Sequence, residues 1–198
     1  MVELAHRLRF RAFRVSDFVV LVILKRRMLD TPVGPMMALA SGSALVALEF
    51  GRADRHQRLD ARRARWFPPH TIADGSNQVL DMTAAWLEAY FAGVAADSTA
   101  VPIAMHGTAF EQRVWQLLLR IPAGRTRSYG ELAADLGVRH GARAVGLANG
   151  ANPLAIIVPC HRVIGSTGTL TGYGGGLDRK QWLLDHERRW SASPTFTF

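Results

Sequence analysis

The sequence predicts a mixed α/β (α+β) chain in two parts. A small N-terminal α/β domain carries a β-hairpin, and a mainly helical C-terminal domain carries a helix-turn-helix. Three observations lead there. Two apolar runs, Met36–Ala40 and Ala44–Phe50, flank Ser41-Gly42-Ser43, the pattern of two strands joined by a turn. From Ser76 onward, Val79, Met82, Trp86, Leu87, Tyr90 and Phe91 recur at helical spacing until Gly93 stops them. Thr108-Ala109-Phe110-Glu111 and Ser128-Tyr129-Gly130-Glu131 are capping boxes, in which a hydroxyl and a glutamate three residues on satisfy the first free N–H groups of a helix.

Taken in order, residues 1–27 read as a basic N-terminal extension and Met28-Leu29-Asp30-Thr31-Pro32 as the start of the globular region, giving an N-terminal domain over 28–104 with no chemistry of its own. The Arg-rich strip from Arg52 to Arg65 reads as a solvated surface segment, with a second polyanion contact as the alternative. The C-terminal domain spans 105–190. Its first helix buries Phe110, Val114, Leu117 and Leu118 and ends before Pro122-Ala123-Gly124. A short helix from Ser128 to Leu136, a turn over Val138–Gly141 and a second helix from Ala142 to Asn149 form the helix-turn-helix, with Arg139, His140 and Arg143 where the second helix begins. Asn152-Pro153 follows, then Ile156-Ile157-Val158 as a short buried strand leading to Pro159-Cys160-His161-Arg162. Six of the twelve residues from Gly165 to Gly176 are glycine, so that loop can bring its backbone close to a ligand. A last helix from Asp178 presents Trp182, Leu183 and Leu184 and carries His186 and Glu187; residues 191–198 read as a tail.

Composition narrows the function. The 198 residues are 48% hydrophobic and 20% charged, an ordinary globular balance. The longest apolar run, Phe18–Leu24, is too short to span a bilayer, and Lys25-Arg26-Arg27 stands where a signal-peptide cleavage site would need small residues. No membrane partner is therefore expected. The net charge of +8 is uneven: residues 1–27 carry +5, 28–110 carry −2 and 111–198 carry +5. A basic surface that travels with the C-terminal half suits a polyanion, nucleic acid above all.

Cys160 is the only cysteine, so it forms no internal disulfide and supplies no multi-thiolate metal site. The seven histidines show no paired ligand spacing either, so neither metal nor cofactor is expected. A lone thiol is explained by packing or by reactivity. Pro159 before it and His161 after it favour reactivity, because an adjacent imidazole can lower a thiol pKa or route its proton to a base. A free reactive thiol implies a reducing compartment, which places the protein in the cytoplasm.

Ser128-Tyr129-Gly130, Ala142-Arg143-Ala144-Val145-Gly146, Asn152-Pro153, Pro159-Cys160-His161-Arg162-Val163 and Gly172-Tyr173-Gly174-Gly175-Gly176-Leu177 agree in order with one known pattern. From Gly107 to Glu187 the chain resembles the O6-alkylguanine-DNA alkyltransferases, the methylated-DNA–protein-cysteine methyltransferase family. The N-terminal half is similar only in layout. The resemblance implies DNA repair by direct reversal: an irreversible, single-turnover transfer of a methyl or alkyl group from guanine O6, with thymine O4 as a further candidate, to Cys160. It further implies that Cys160 passes its proton through a water to His161, which Glu187 orients. Tyr129 assists the leaving base and the phosphate rotation, and Asn152 is the hinge between recognition helix and active-site turn. Arg143 enters the base stack, with Ala142 and Arg139 beside it on the DNA. Val158, Tyr173, Gly174 and Gly175 line the base pocket. The implied partner is double-stranded DNA bearing alkylated bases, entered through the minor groove by a monomer.

Two departures from the family pattern are Gly141, where alanine is usual, and Gly174, where serine or alanine is usual. They imply a looser start to the recognition helix and a missing side-chain contact to the base. Three rivals are distinguishable by residue. A lesion-binding relative without transfer has tryptophan at the cysteine position; a methylation-sensing regulator carries an added cysteine-rich module; a turnover Cys-His hydrolase would leave no alkyl-cysteine.

Overall fold

The computed structural model describes residues 21–67, 69–94 and 98–191. Its sheet has the order β3-β2-β1-β4, built from β1 (Val22–Leu29), β2 (Met36–Ala40), β3 (Leu45–Phe50) and β4 (His70–Asp74). β1–β2 and β2–β3 are antiparallel, and β4 lies parallel to β1 after a helical crossover. The Ser41-Gly42-Ser43 turn therefore closes the hairpin that the two apolar runs predict.

Side chains alternate across a strand, and here the sheet is covered on both faces. Met36, Ala38 and Ala40 of β2 face α2 (Gln78–Phe91) and the larger core; Met37 and Leu39 face a smaller cluster with Leu24 and with Leu59 of α1 (Ala53–Trp66). This double burial is why β2 and β3 read as continuous apolar runs. α2 starts at Asn77, whose side chain accepts from the Leu80 N–H at 3.0 Å. Met82, expected in its buried stripe, is exposed, while Leu80 is fully buried.

The boundary drawn before Met28 is corrected: it cuts β1, which pairs with strands on both sides from Val22 onward. Leu24 is completely buried, so residues 22–27 belong to the sheet and not to an appendage. Residues 1–20 and 192–198 lie outside the described residues. The last helix, α6 (Leu177–Ser191), runs to the end of the C-terminal domain, where Trp190 packs against Tyr90 and His186.

The C-terminal half contains α3 (Ala109–Leu119), α4 (Tyr129–Asp135), α5 (Ala142–Gly150) and α6, with a two-stranded parallel ribbon of β5 (Arg127–Ser128) and β6 (Val163–Ile164). Both predicted capping boxes are formed, at Thr108 with Glu111 and at Ser128 with Glu131. α4 and α5 make the helix-turn-helix, and the Trp115 indole of α3 donates to Ala148 O of α5 at 2.9 Å. Gly141 is buried, and an added Cβ would lie 2.6 Å from Val138 Cγ1. Tight packing of the turn sets that glycine, which does not loosen the helix start.

The two halves share one hydrophobic core, running from β2, β3 and α2 into α3, α4, α5 and the segment before Cys160. The edge strand β3 supplies the join: Leu48 N donates to Pro153 O at 2.8 Å, and Ala155 N donates to Leu48 O at 2.9 Å. Ile156-Ile157-Val158 is not the strand expected. It turns, with Val158 N bonded to Leu154 O at 2.9 Å and Ile156 at φ 69°. A β-branched residue in the left-handed region costs roughly 1–3 kcal/mol, and the buried Leu154–Val158 packing holds it there.

Candidate active site and nucleic-acid interface

The turn over Leu154–Val158 delivers a short 3-10 segment, Cys160–Arg162, which sets Cys160 on a pocket wall and His161 against Glu187. Cys160 lines a pocket of about 520 Å³ whose other walls include Tyr129, Ala142, Arg143, Tyr173, Gly174 and Gly175. His161 and Glu187 are fully buried and take no part in that lining. His161 Nε2 and Glu187 Oε1 are 2.8 Å apart, whereas the buried His161 Nδ1 has no protein partner among the described residues.

Glu187 is the most heavily bonded carboxylate of the site. Oε1 accepts from Tyr90 Oη, His161 Nε2 and Arg162 Nη2, each at 2.8 Å, and Oε2 accepts from Arg162 Nε at 2.9 Å and Gly124 N at 3.1 Å. Burial alone would raise its pKa. The hydrogen bonds and charges of His161 and Arg162 together outweigh burial and hold the carboxyl well below its ordinary range. An ionised Glu187 only accepts, so the proton of neutral His161 sits on Nε2 and Nδ1 is left basic.

Burial pushes the Cys160 thiol pKa up; a hydrogen bond from Asn152 and the charge of Arg55 oppose it without reversing the sign. Burial likewise holds the His161 imidazole below its ordinary value, against the pull of Glu187. At neutral pH the pair therefore rests as thiol and neutral imidazole.

Asn152 is buried and ties the turn together, its Nδ2 donating to Val158 O at 2.8 Å and its Oδ1 accepting from Leu154 N at 3.0 Å. Val158 is fully buried beside it and takes no part in the pocket lining. Asn149 holds the other side, donating to Cys160 O at 3.3 Å. Tyr173 stands edge-on to Phe50 with centroids 5.8 Å apart, and its buried hydroxyl has no protein partner among the described residues. Tyr129 packs at the mouth with its hydroxyl directed at Thr171 O, 3.4 Å away. Arg143 is exposed at the rim, and so is Leu147, which is 72% exposed on the same helix. Arg139 is exposed in the turn before α5 and does not line the pocket.

Five contributors were not singled out from sequence. Arg162 and Tyr90 complete the Glu187 cluster. Lys180 is fully buried, donates to Val163 O at 2.6 Å and Thr171 O at 2.8 Å, and is lowered by burial to about 8. Arg55 and Arg58 reach the pocket from α1. The strip Arg52–Arg65 is a helix whose outer face is solvated as expected, but it turns Arg55 inward beside the buried Leu59; only the spacing of these two residues, one helical turn apart, could have signalled this.

Among the described residues no group of His, Cys, Asp and Glu gathers as a metal site, and no helix is long and apolar enough to cross a membrane. Comparison with known proteins supplies the remaining findings. The family model described as 6-O-methylguanine DNA methyltransferase, ribonuclease-like domain, matches residues 24–105, and the model for that family's DNA binding domain matches residues 109–189. A methylated-DNA–protein-cysteine methyltransferase of Mycobacterium bovis is 47% identical over 162 residues, covering 82% of this chain and 91% of the relative. One of Salmonella typhimurium is 59% identical over 98 residues, covering 50% and 57%. The crystal structure of Mycobacterium tuberculosis OGT in complex with DNA superposes with a TM-score of 0.70 at 43% identity, covering 88% of this chain and 96% of that one.

Proposed function

This chain belongs to the 6-O-methylguanine DNA methyltransferase family, and on that premise we propose how its own residues repair alkylated DNA. The protein binds DNA and transfers an alkyl group to Cys160; the substrate class is O6-alkylguanine in duplex DNA, reached from the minor groove by a monomer. The observation that carries this reading is the set of neighbours at the pocket: a recessed Cys160 that lines it, the adjacent His161 with Nδ1 unpartnered among the described residues, and an ionised Glu187 on Nε2.

A base inside a duplex must leave the stack to reach a recessed thiol, at a cost of a few kcal/mol. Arg143 and Leu147 project from α5 at the pocket rim, Arg143 to occupy the vacated space and Leu147 to pack against the groove. The flipped guanine stands between Tyr173 and Tyr129, on a glycine wall that admits a flat ring. The proton of Cys160 passes to His161 Nδ1 through a water, and Glu187 stabilises the imidazolium that forms. Sulfur then attacks the alkyl carbon, the C–O6 bond breaks and its electron pair stays on guanine, which takes a proton from the Tyr129 hydroxyl. A thioether is a stable product with no leaving group for water to displace, so Cys160 is consumed.

The resting thiol–imidazole pair fits this sequence. A permanent thiolate would be open to any electrophile, whereas here proton transfer accompanies occupation of the pocket. Titrating limiting protein with a duplex holding one O6-methylguanine tests the proposal. Lesions removed should plateau at one per protein and vanish for Cys160→Ala; continued repair beyond that plateau would refute it.

A further inference from the structure

The pocket wall contains a charged side chain that the chemistry above does not use. Arg55 comes from α1, in the half of the chain read from sequence as having no chemistry, and it is buried against the other half. Its guanidinium makes four hydrogen bonds. Nε and Nη2 grip the buried Glu49 carboxylate at 2.9 and 2.7 Å, while Nη1 donates to Gly150 O at 2.9 Å and Nη2 to Asn152 O at 3.1 Å. Arg62, two turns along the same helix, donates to Ala151 O.

These three carbonyls close the C-terminal end of α5 and open the turn to Cys160. The last carbonyls of a helix lack intrahelical donors and form the negative end of its dipole, so two arginines there satisfy both needs. Arg55 also decides what stands opposite it. A Cβ added at Gly174 would lie 2.5 Å from Arg55 Nη1 and 2.7 Å from Cζ, so no side chain fits there while the guanidinium is in place. The absence of a side chain at 174, expected from sequence to be a lost base contact, is the space this arginine occupies.

We propose that Arg55 is a positioning residue for alkyl transfer, through which the N-terminal domain holds the Gly150–Asn152 turn and the Gly174 wall in register with Cys160. Glu49 holds the arginine, Arg55 holds the Asn152 carbonyl, and Asn152 holds the thiol-bearing turn through Val158 O. Its charge beside the pocket also favours the thiolate. The inference rests on the alkyl-transfer reading above.

The test compares three variants, and Gly174→Ser combined with each of the two Arg55 changes, with the unaltered protein. Arg55→Met with Glu49→Gln removes both charges and leaves no buried carboxylate unpaired, Arg55→Lys keeps the charge without the fork, and Gly174→Ser crowds the arginine. Each is assayed for thermal unfolding, affinity for undamaged duplex, single-turnover transfer from an O6-methylguanine duplex, and the pH midpoint of thiol alkylation by iodoacetamide. A displaced reacting group costs rate without needing to cost binding, so the paired variant should transfer roughly ten- to a hundredfold more slowly while binding duplex within about twofold. Its thiol midpoint should move up, because the lowering effect of Arg55 on the thiol exceeds the raising effect of the Glu49 charge removed with it, and Arg55→Lys should recover part of both losses. Gly174→Ser should slow transfer in the native background but add nothing once Arg55 is gone, because the clash disappears with it.

Native rates in the paired variant, or an equal effect of Gly174→Ser in both backgrounds, would overturn the proposal. Should the paired variant not fold, the comparison of Gly174→Ser with and without Arg55→Lys decides: a lysine, which lacks the guanidinium branch, must relieve the crowding. If the unaltered protein transfers nothing, the alkyl-transfer reading fails instead.

Discussion

Replacing Glu187 by glutamine removes a charge and leaves one acceptor oxygen where five donors converge. If the amide nitrogen takes the Oε2 position it faces the Gly124 and Arg162 Nε donors; if it takes the Oε1 position it faces His161 and Arg162 Nη2. Either way Arg162, whose side chain is only 12% exposed, loses its counter-charge. Breaking a buried pair by removing one partner costs roughly 3–5 kcal/mol, and at about 2–4 °C per kcal/mol for a chain of this size Tm should fall by roughly 6–20 °C. The pH dependence has a definite sign. A carboxyl held below its ordinary 4.5 contributes stability that is present above that pH and lost as pH falls beneath it. The Tm gap between native and Glu187→Gln proteins should therefore be full at pH 7 and narrow below about 4.5. Transfer should slow by roughly 10²- to 10⁴-fold, because the tautomer that leaves Nδ1 basic is no longer imposed. Circular dichroism melts from pH 3 to 8, with quenched-flow transfer at pH 7.5, make the measurement. A Tm loss under about 2 °C, or a gap indifferent to pH, would refute an ionised, fully paired Glu187.

The remaining predictions address other links. Arg143→Ala should bind undamaged duplex with modest loss yet repair it far more slowly, and a methylated single strand should rescue part of that defect because unstacking costs less there; equal losses on both substrates would show that Arg143 does not act in flipping. The pH profile of transfer should have its acid limb below 6.5, because burial holds His161 under that value and the base stays neutral down to it; a limb centred at or above 6.5 would contradict the assignment. A chain beginning at Met28 should lose cooperative unfolding, since it lacks most of the strand that joins β2 to β4, whereas a chain beginning at Leu21 should melt cooperatively. Gly107→Ala should cost roughly 1–3 kcal/mol in chemical denaturation, because its Cβ would lie 2.5 Å from Trp115 Cη2 and the fully buried indole has no room to move.

What the sequence made legible follows from local physics. Capping boxes at Thr108 and Ser128 are four-residue patterns whose bonds close within the segment, and both form as read. The hairpin around Ser41 and the glycine-rich wall are equally local. The thiol, imidazole and carboxylate are legible only through several separated motifs that agree with one family; nothing in the spacing of His161 and Glu187 places them 2.8 Å apart. Long-range geometry explains the misses. Arg55 sits among arginines on a helix that looks solvated from sequence, and only the packing of α1 on β3 turns its guanidinium inward to the end of α5. Lys25-Arg26-Arg27 reads as part of a basic arm, which divides β1, although Arg26 pairs with Asp74 and Arg27 with Asp81 across the surface. Ile156-Ile157-Val158 has strand composition, but tertiary packing against β3 forces it into a turn.

Whether Cys160 itself becomes the final home of the alkyl group is read from the mass of the protein after reaction. Intact mass and peptide mapping are recorded after the protein is mixed with an equimolar duplex bearing a single O6-methylguanine. The account predicts a gain of about 14 Da per chain, the exchange of a thiol hydrogen for a methyl group, located on the peptide containing Cys160 and accompanied by unmodified guanine in the DNA. Restored guanine with no mass gain, or a methyl group on any other residue, would contradict it.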